Sequence, residues 1–152
     1  SKPNVVEGKD ATQTYSRSQY LILRQRFKSN FLVLEGLAEA SWGYYKKTND
    51  KKYLATEVQA AWNSFYIFMK KVLDEDRYKE AVVNYNLDEK NYDEKLMGVA
   101  LRLLEIRYER EMFDKIVNEI DLFRQMGMLK EGVISAKLKQ KILDLQAKAK
   151  SK

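Results

Sequence analysis

Two residue types on which enzyme chemistry most often rests are missing: the 152-residue chain has no cysteine and no histidine. Without cysteine there is no disulfide framework, no thiolate nucleophile and no sulfur ligand for zinc. Without histidine the commonest general base and the commonest metal ligand go together. Proline occurs once, at Pro3, and glycine six times, so few residues interrupt local structure. Long apolar runs are lacking too. The longest, Phe65 to Met69, falls far short of the roughly 18 residues that suggest a membrane span. The N-terminal residues are polar and lack the apolar core of a signal peptide. These absences predict a soluble, intracellular protein, or one inside a nucleoprotein particle, without integral membrane association.

Several constellations are excluded by detail. The acids between Asp74 and Glu94 lack the alternating oxygens, central glycine and terminal glutamate of a calcium loop. Glu105, Glu109 and Glu111 superficially resemble the carboxylates of a di-metal bundle, which needs histidine partners. Gly8-Lys9-Asp10 lacks the rest of a phosphate-binding loop. No catalytic residue, metal site or cofactor is expected, and the chain reads as non-enzymatic.

What is present is helical spacing throughout, with no strand-like alternation. The expected class is all-α, a single-domain bundle of about four principal helices. A polar arm is expected over 1–15, the helical bundle over 16–129, and a basic amphipathic helix and tail over 130–152. Ser16 is a plausible cap for a first long helix to about residue 45, with Leu23, Phe27, Phe31, Leu34, Ala38 and Ser41 on one face. Thr48-Asn49-Asp50 signals a turn and a new cap. A second helix runs to about Leu73, followed by a short one through about Asn84 and a polar turn over Asn86 to Asn91. A third long helix is expected over about 92–126, carrying Leu96, Val99, Leu103, Ile106, Phe113, Val117 and Ile120 at near-heptad spacing. Arg110 breaks that seam, which argues against a continuous coiled coil. Arg107 with Glu111 and Arg110 with Asp114 are spaced for ion pairs one turn apart. Gly127 and Gly132 bracket a connector before a last helix at about 133–149.

Charge is the most uneven property. The last 23 residues hold seven lysines against Glu131 and Asp144, a net +5 in a chain whose total is +6. Residues 11–34 carry +4, residues 46–53 carry +3, and the stretch from Asp74 to Glu94 carries −5. Such polarity points to a polyanionic or acidic partner.

On the last helix, Ile134, Leu138, Ile142, Leu145 and Ala149 form an apolar stripe flanked on one side by Lys137, Lys141 and Lys148. On the first, Arg17, Arg24 and Lys28 share a face at i, i+7 and i+11. Arginine suits phosphate because its planar fork bonds two oxygens at once. Trp42, Tyr44 and Tyr45 precede Lys46 and Lys47, and Lys51, Lys52 and Tyr53 follow the turn. Aromatics interleaved with lysines can stack bases and hold a strand, or simply pack where a helix ends.

The leading expectation is a structural nucleic-acid-binding protein gripping duplex phosphates without sequence readout, a chromatin-like protein or the coat subunit of a nucleoprotein filament. Its binding residues would be Arg17, Arg24, Lys28, Lys46, Lys47, Lys137, Lys141 and Lys148, and its partner double-stranded DNA foremost. The alternative is a helical protein–protein module, docking Ile134, Leu138, Ile142 and Leu145 into a partner's groove or meeting an acidic protein surface. Assembly with further copies of the chain is compatible with either.

Overall fold

Among the described residues, left-handed residues close three of the four α-helices, and their positions explain where the chain turns there. The computed structural model describes residues 31–54 and 92–152. Among them are α1 (Phe31–Thr48), a single 3-10 turn (Lys51–Tyr53), α2 (Tyr92–Glu109), α3 (Phe113–Gln125) and α4 (Ala136–Lys150), with no strand. The described residues are thus all-α. The polar arm over 1–15, the start of the first helix, the helix to Leu73, the short helix through Asn84 and the turn over 86–91 lie outside the described residues. The chain divides into two compact units, Ser1–Tyr92 and Asp93–Lys152.

In the first unit α1 buries Leu37, Ala38, Ser41 and Tyr45, a stripe at i, i+1, i+4 and i+8. Asn49 ends the helix with φ 55°, a conformation asparagine tolerates better than most residues. Its N–H donates to the Tyr45 carbonyl at 2.6 Å, which satisfies one of the terminal acceptors. Asp50 then caps the following turn, its carboxylate accepting from the Lys52 N–H at 3.0 Å. Leu54 is buried directly after it. The turn read from Thr48-Asn49-Asp50 is therefore present.

In the second unit the structure corrects the long helix expected over 92–126. It is two helices, α2 and α3, separated at Arg110–Met112. Glu111 takes φ 59°. The Met112 N–H donates to the Arg107 carbonyl at 3.0 Å and the Glu111 N–H to the Tyr108 carbonyl at 2.9 Å, the paired bonds of a left-handed helix stop. Glycine normally fills that position, so nothing local advertises a stop at a glutamate. The turn also resets the helical phase. Phe113 and Val117, expected on the seam, are only half-buried; Ile120 is buried as expected, but beside Ile116, Glu119 and Phe123.

The α3 end uses the same device with its usual residue. Gly127 has φ 77°, the Met128 N–H donates to the Phe123 carbonyl at 3.0 Å, and both Phe123 and Met128 are buried. Gly132, at φ 85°, completes the connector.

Contacts fix the order of the three helices. Gln146 of α4 meets Val117 and Asp121 of α3, and Phe113 shares a groove with Ala149 and Lys150, so α3 and α4 pack antiparallel. Glu94 near the start of α2 bonds Ser135 at the start of α4, while Tyr108 near the end of α2 lies beneath Lys148 near the end of α4. The unit is an up-down-up bundle around Leu96, Leu103, Ile116, Ile120 and Ile142.

Candidate nucleic-acid interface

The α4 helix begins at Ser135, whose Oγ accepts from the Leu138 N–H at 3.2 Å, a standard N-cap bond. Glu94 doubles the cap. Its carboxylate accepts from the Ser135 N–H at 2.6 Å and from the Ser135 hydroxyl at 2.8 Å. Charge-assisted bonds of this kind are the stronger ones. They tie the first turns of two helices together.

Inside the unit two polar constructions orient the helices. Arg107 Nη1 lies 2.9 Å from Glu119 Oε2, with side-chain exposures of 13% and 6%. Burial lowers the Arg107 pKa from its ordinary value, and the attraction of Glu119 pulls it part of the way back. The expected one-turn pair of Arg107 with Glu111 is therefore replaced by a pair twelve residues apart. Neither the Arg107–Glu111 nor the Arg110–Asp114 pair forms, because the break at 110–112 removes the helical spacing both required. Gln146 is buried and fully used. Its Nε2 donates to the Val117 carbonyl at 3.1 Å and to Asp121 Oδ1 at 2.9 Å, and its Oε1 accepts from Arg124 Nη2 at 3.2 Å. Arg124 also pairs with Asp121 at 2.7 Å.

Once α4 is held this way, its stripe and its lysines separate. Ile134, Leu138, Ile142 and Leu145 are all buried, so the stripe expected to dock into a partner lies inside the chain's own core. Lys137, Lys141 and Lys148 are exposed together along one flank. None of the three forms an ion pair among the described residues. Asp144 stands on the same side, its carboxylate accepting from Gln140 Nε2 at 2.7 Å. Lys148 Nζ sits 4.7 Å from the centroid of the Tyr108 ring and Lys152 Nζ 5.9 Å from it, which steadies the C-terminal ammoniums over a π face. Last-turn lysines also suit the negative end of the helix dipole.

Beside this end lies an open groove of about 470 Å³ between the start of α3 and the end of α4. Glu111, Asp114, Lys150 and Lys152 line it together with Phe113 and Val117. Its charges are mixed and it has no dominant sign.

Lys46 and Lys47 are exposed on the last turn of α1, in the other compact unit. Arg17, Arg24 and Lys28 lie outside the described residues. Among the described residues no group of three or more acidic side chains is placed to hold a metal ion, and no helix is long and apolar enough to cross a membrane. Two features were missed at the level of sequence. Glu119 and Gln146 each stand within an otherwise apolar stripe, and a polar residue in such a stripe was the available signal of a buried partner.

Compared with known proteins, the chain matches no protein-family model, no curated protein and no solved structure.

Proposed function

We propose that this chain is a non-enzymatic, structural nucleic-acid-binding protein that grips duplex phosphates without reading sequence, as a chromatin-like protein or a filament-coat subunit does. The observation that carries the reading is the flank of α4. There Lys137, Lys141 and Lys148 are presented to solvent by a helix whose opposite side is anchored in a core. A rigid helix holds ammoniums at fixed spacing, and each one that meets a phosphate releases condensed counterions. Lys46 and Lys47, with Arg17, Arg24 and Lys28, belong to the same reading as further phosphate contacts. The protein-module alternative has less to work with, since the apolar stripe it would use is covered by the chain itself.

The test is a titration of labelled duplex DNA over a range of salt concentrations. The variant carries Lys137→Gln, Lys141→Gln and Lys148→Gln together. Each lost phosphate contact reduces the slope of log K against log salt by about 1, so the triple variant should flatten it by roughly 3. An unchanged slope in a variant with native circular dichroism would remove α4 from the interface. Tighter binding to polyglutamate than to DNA at the same salt would instead select an acidic protein partner.

A further inference from the structure

The end of α1 carries, beside the lysines already assigned to phosphates, a set of aromatic rings that duplex binding does not use. Asn49 stops the helix and the 3-10 turn brings the chain back, so that the Tyr53 ring stacks on Tyr44 with centroids 5.4 Å apart and planes 28° from parallel. Tyr44 remains 40% exposed, although Tyr53 covers part of it. Behind it Tyr45 is buried, and its ring lies 5.9 Å from that of Trp42. Lysines frame the cluster. Lys46 Nζ lies 4.7 Å from the Trp42 centroid and Lys52 Nζ 5.2 Å from the Tyr53 centroid. Lys47 and Lys51 are exposed beside them. Against these four ammoniums stands Asp50, which pairs with Lys52 at 3.5 Å.

We infer that this patch binds single-stranded nucleic acid, with an unpaired base stacked on the exposed ring of Tyr44 and its flanking phosphates neutralised by Lys47 and Lys51. The stack with Tyr53 holds the Tyr44 ring in place before any ligand arrives, which lowers the entropy cost of using it as a platform. A flat aromatic accepts any base, because every base has a π face. Bases in a duplex are already stacked and present only their edges, so the ligand that fits is unpaired. The lysines supply the positive surround that a nucleotide needs and that an aliphatic peptide does not. The patch lies in the unit that does not contain α4, so it stands or falls separately from the α4 lysines.

The experiment uses the full chain and a fluorescently labelled oligothymidylate, with a duplex of equal length and polyglutamate as comparisons. Tyr44→Ala should weaken oligothymidylate binding by about 5- to 150-fold, the range for losing one base–aromatic stack, and leave duplex binding within about twofold. Tyr44→Phe keeps the ring and should bind like the original protein. Photocrosslinking of the unaltered chain to an oligonucleotide carrying 5-iodouracil gives a readout that needs no variant, with the adduct expected on Tyr44. Undiminished oligothymidylate binding by Tyr44→Ala overturns the inference. So does an equal loss on duplex, equal binding of polyglutamate, or a crosslink confined to other residues. The triple lysine variant of α4 reports on the duplex reading alone, so the two readings fail by different results.

Discussion

Replacing Glu119 with leucine should destabilise the protein by much more than one lost contact, while replacing Arg107 as well should restore most of the loss. The two side chains meet at 2.9 Å with only 13% and 6% of their surfaces exposed. Burial is the larger influence on the Arg107 pKa and the attraction of Glu119 the smaller. For a buried ion pair the cost of desolvation largely offsets the attraction, so the pair as a whole contributes little net stability. Removing one member is different, because it leaves a buried guanidinium without its counter-charge, at a cost of about 3–5 kcal/mol. For a chain of this length each kcal/mol moves Tm by about 2–4 °C, so Glu119→Leu should lower it by roughly 6–20 °C. Arg107→Met combined with Glu119→Leu removes both charges and should return to within about 1 kcal/mol of the original protein, or exceed it.

The pH dependence has a definite sign. A base whose folded pKa is lowered is disfavoured in its charged form at every pH below that value, and stability recovers only as pH rises through it. The lowered Arg107 pKa still leaves the guanidinium protonated, so the Glu119→Leu deficit should be flat between about pH 6 and 9. Urea and thermal unfolding followed by circular dichroism give all three quantities. A Glu119→Leu protein within about 1 kcal/mol of the original, or a double variant no better than the single, would refute the reasoning.

Three further changes test the helix ends. Glu111→Gly should be neutral or stabilising by up to about 1 kcal/mol, because glycine relieves a left-handed residue. In an uninterrupted helix the same change would cost about as much, so the sign found by urea unfolding decides whether α2 and α3 are truly separate. Gly127→Ala should cost about 1–2 kcal/mol from φ 77° alone. The nearest atoms to an added Cβ are Lys130 side-chain atoms at 3.6 Å, so crowding is not the cause and Gly127→Asn should lose less. Ser135→Ala should cost about 1–2 kcal/mol as a lost cap. Ser135→Asp, ordinarily an equivalent cap, should do no better, because it sets a carboxylate against Glu94. A Ser135→Asp protein as stable as the original in thermal unfolding would show that Glu94 does not hold the cap.

Local spacing was a sound guide wherever the chain obeys its own neighbourhood. The apolar residues of α4 recur at Leu138, Ile142 and Leu145, with Ile134 just ahead of the Ser135 cap, and all four are buried. Asn49 turns the chain where Thr48-Asn49-Asp50 indicated, and Gly127 and Gly132 both adopt the positive φ that a connector between helices uses. These features depend on a residue's own backbone preference or on a period of a few residues. They are readable without knowing what lies opposite.

The break at Arg110–Met112 is of another kind. Glu-Arg-Glu favours continued helix, yet Glu111 turns left-handed, and the return of α3 lets Arg107 reach Glu119 and Gln146 reach Asp121. A local cost of about 1–2 kcal/mol at one residue is outweighed by burial that exists only once three helices meet. The amino-acid sequence by itself determined that this protein is helical, which face of α4 is apolar, and that its lysines gather at one end. Only the tertiary structure decided that the α4 stripe faces inward, that Glu94 caps a distant helix, and that Arg107 pairs across a turn. Those outcomes depend on desolvation and on partners far apart in the chain, which periodicity does not encode.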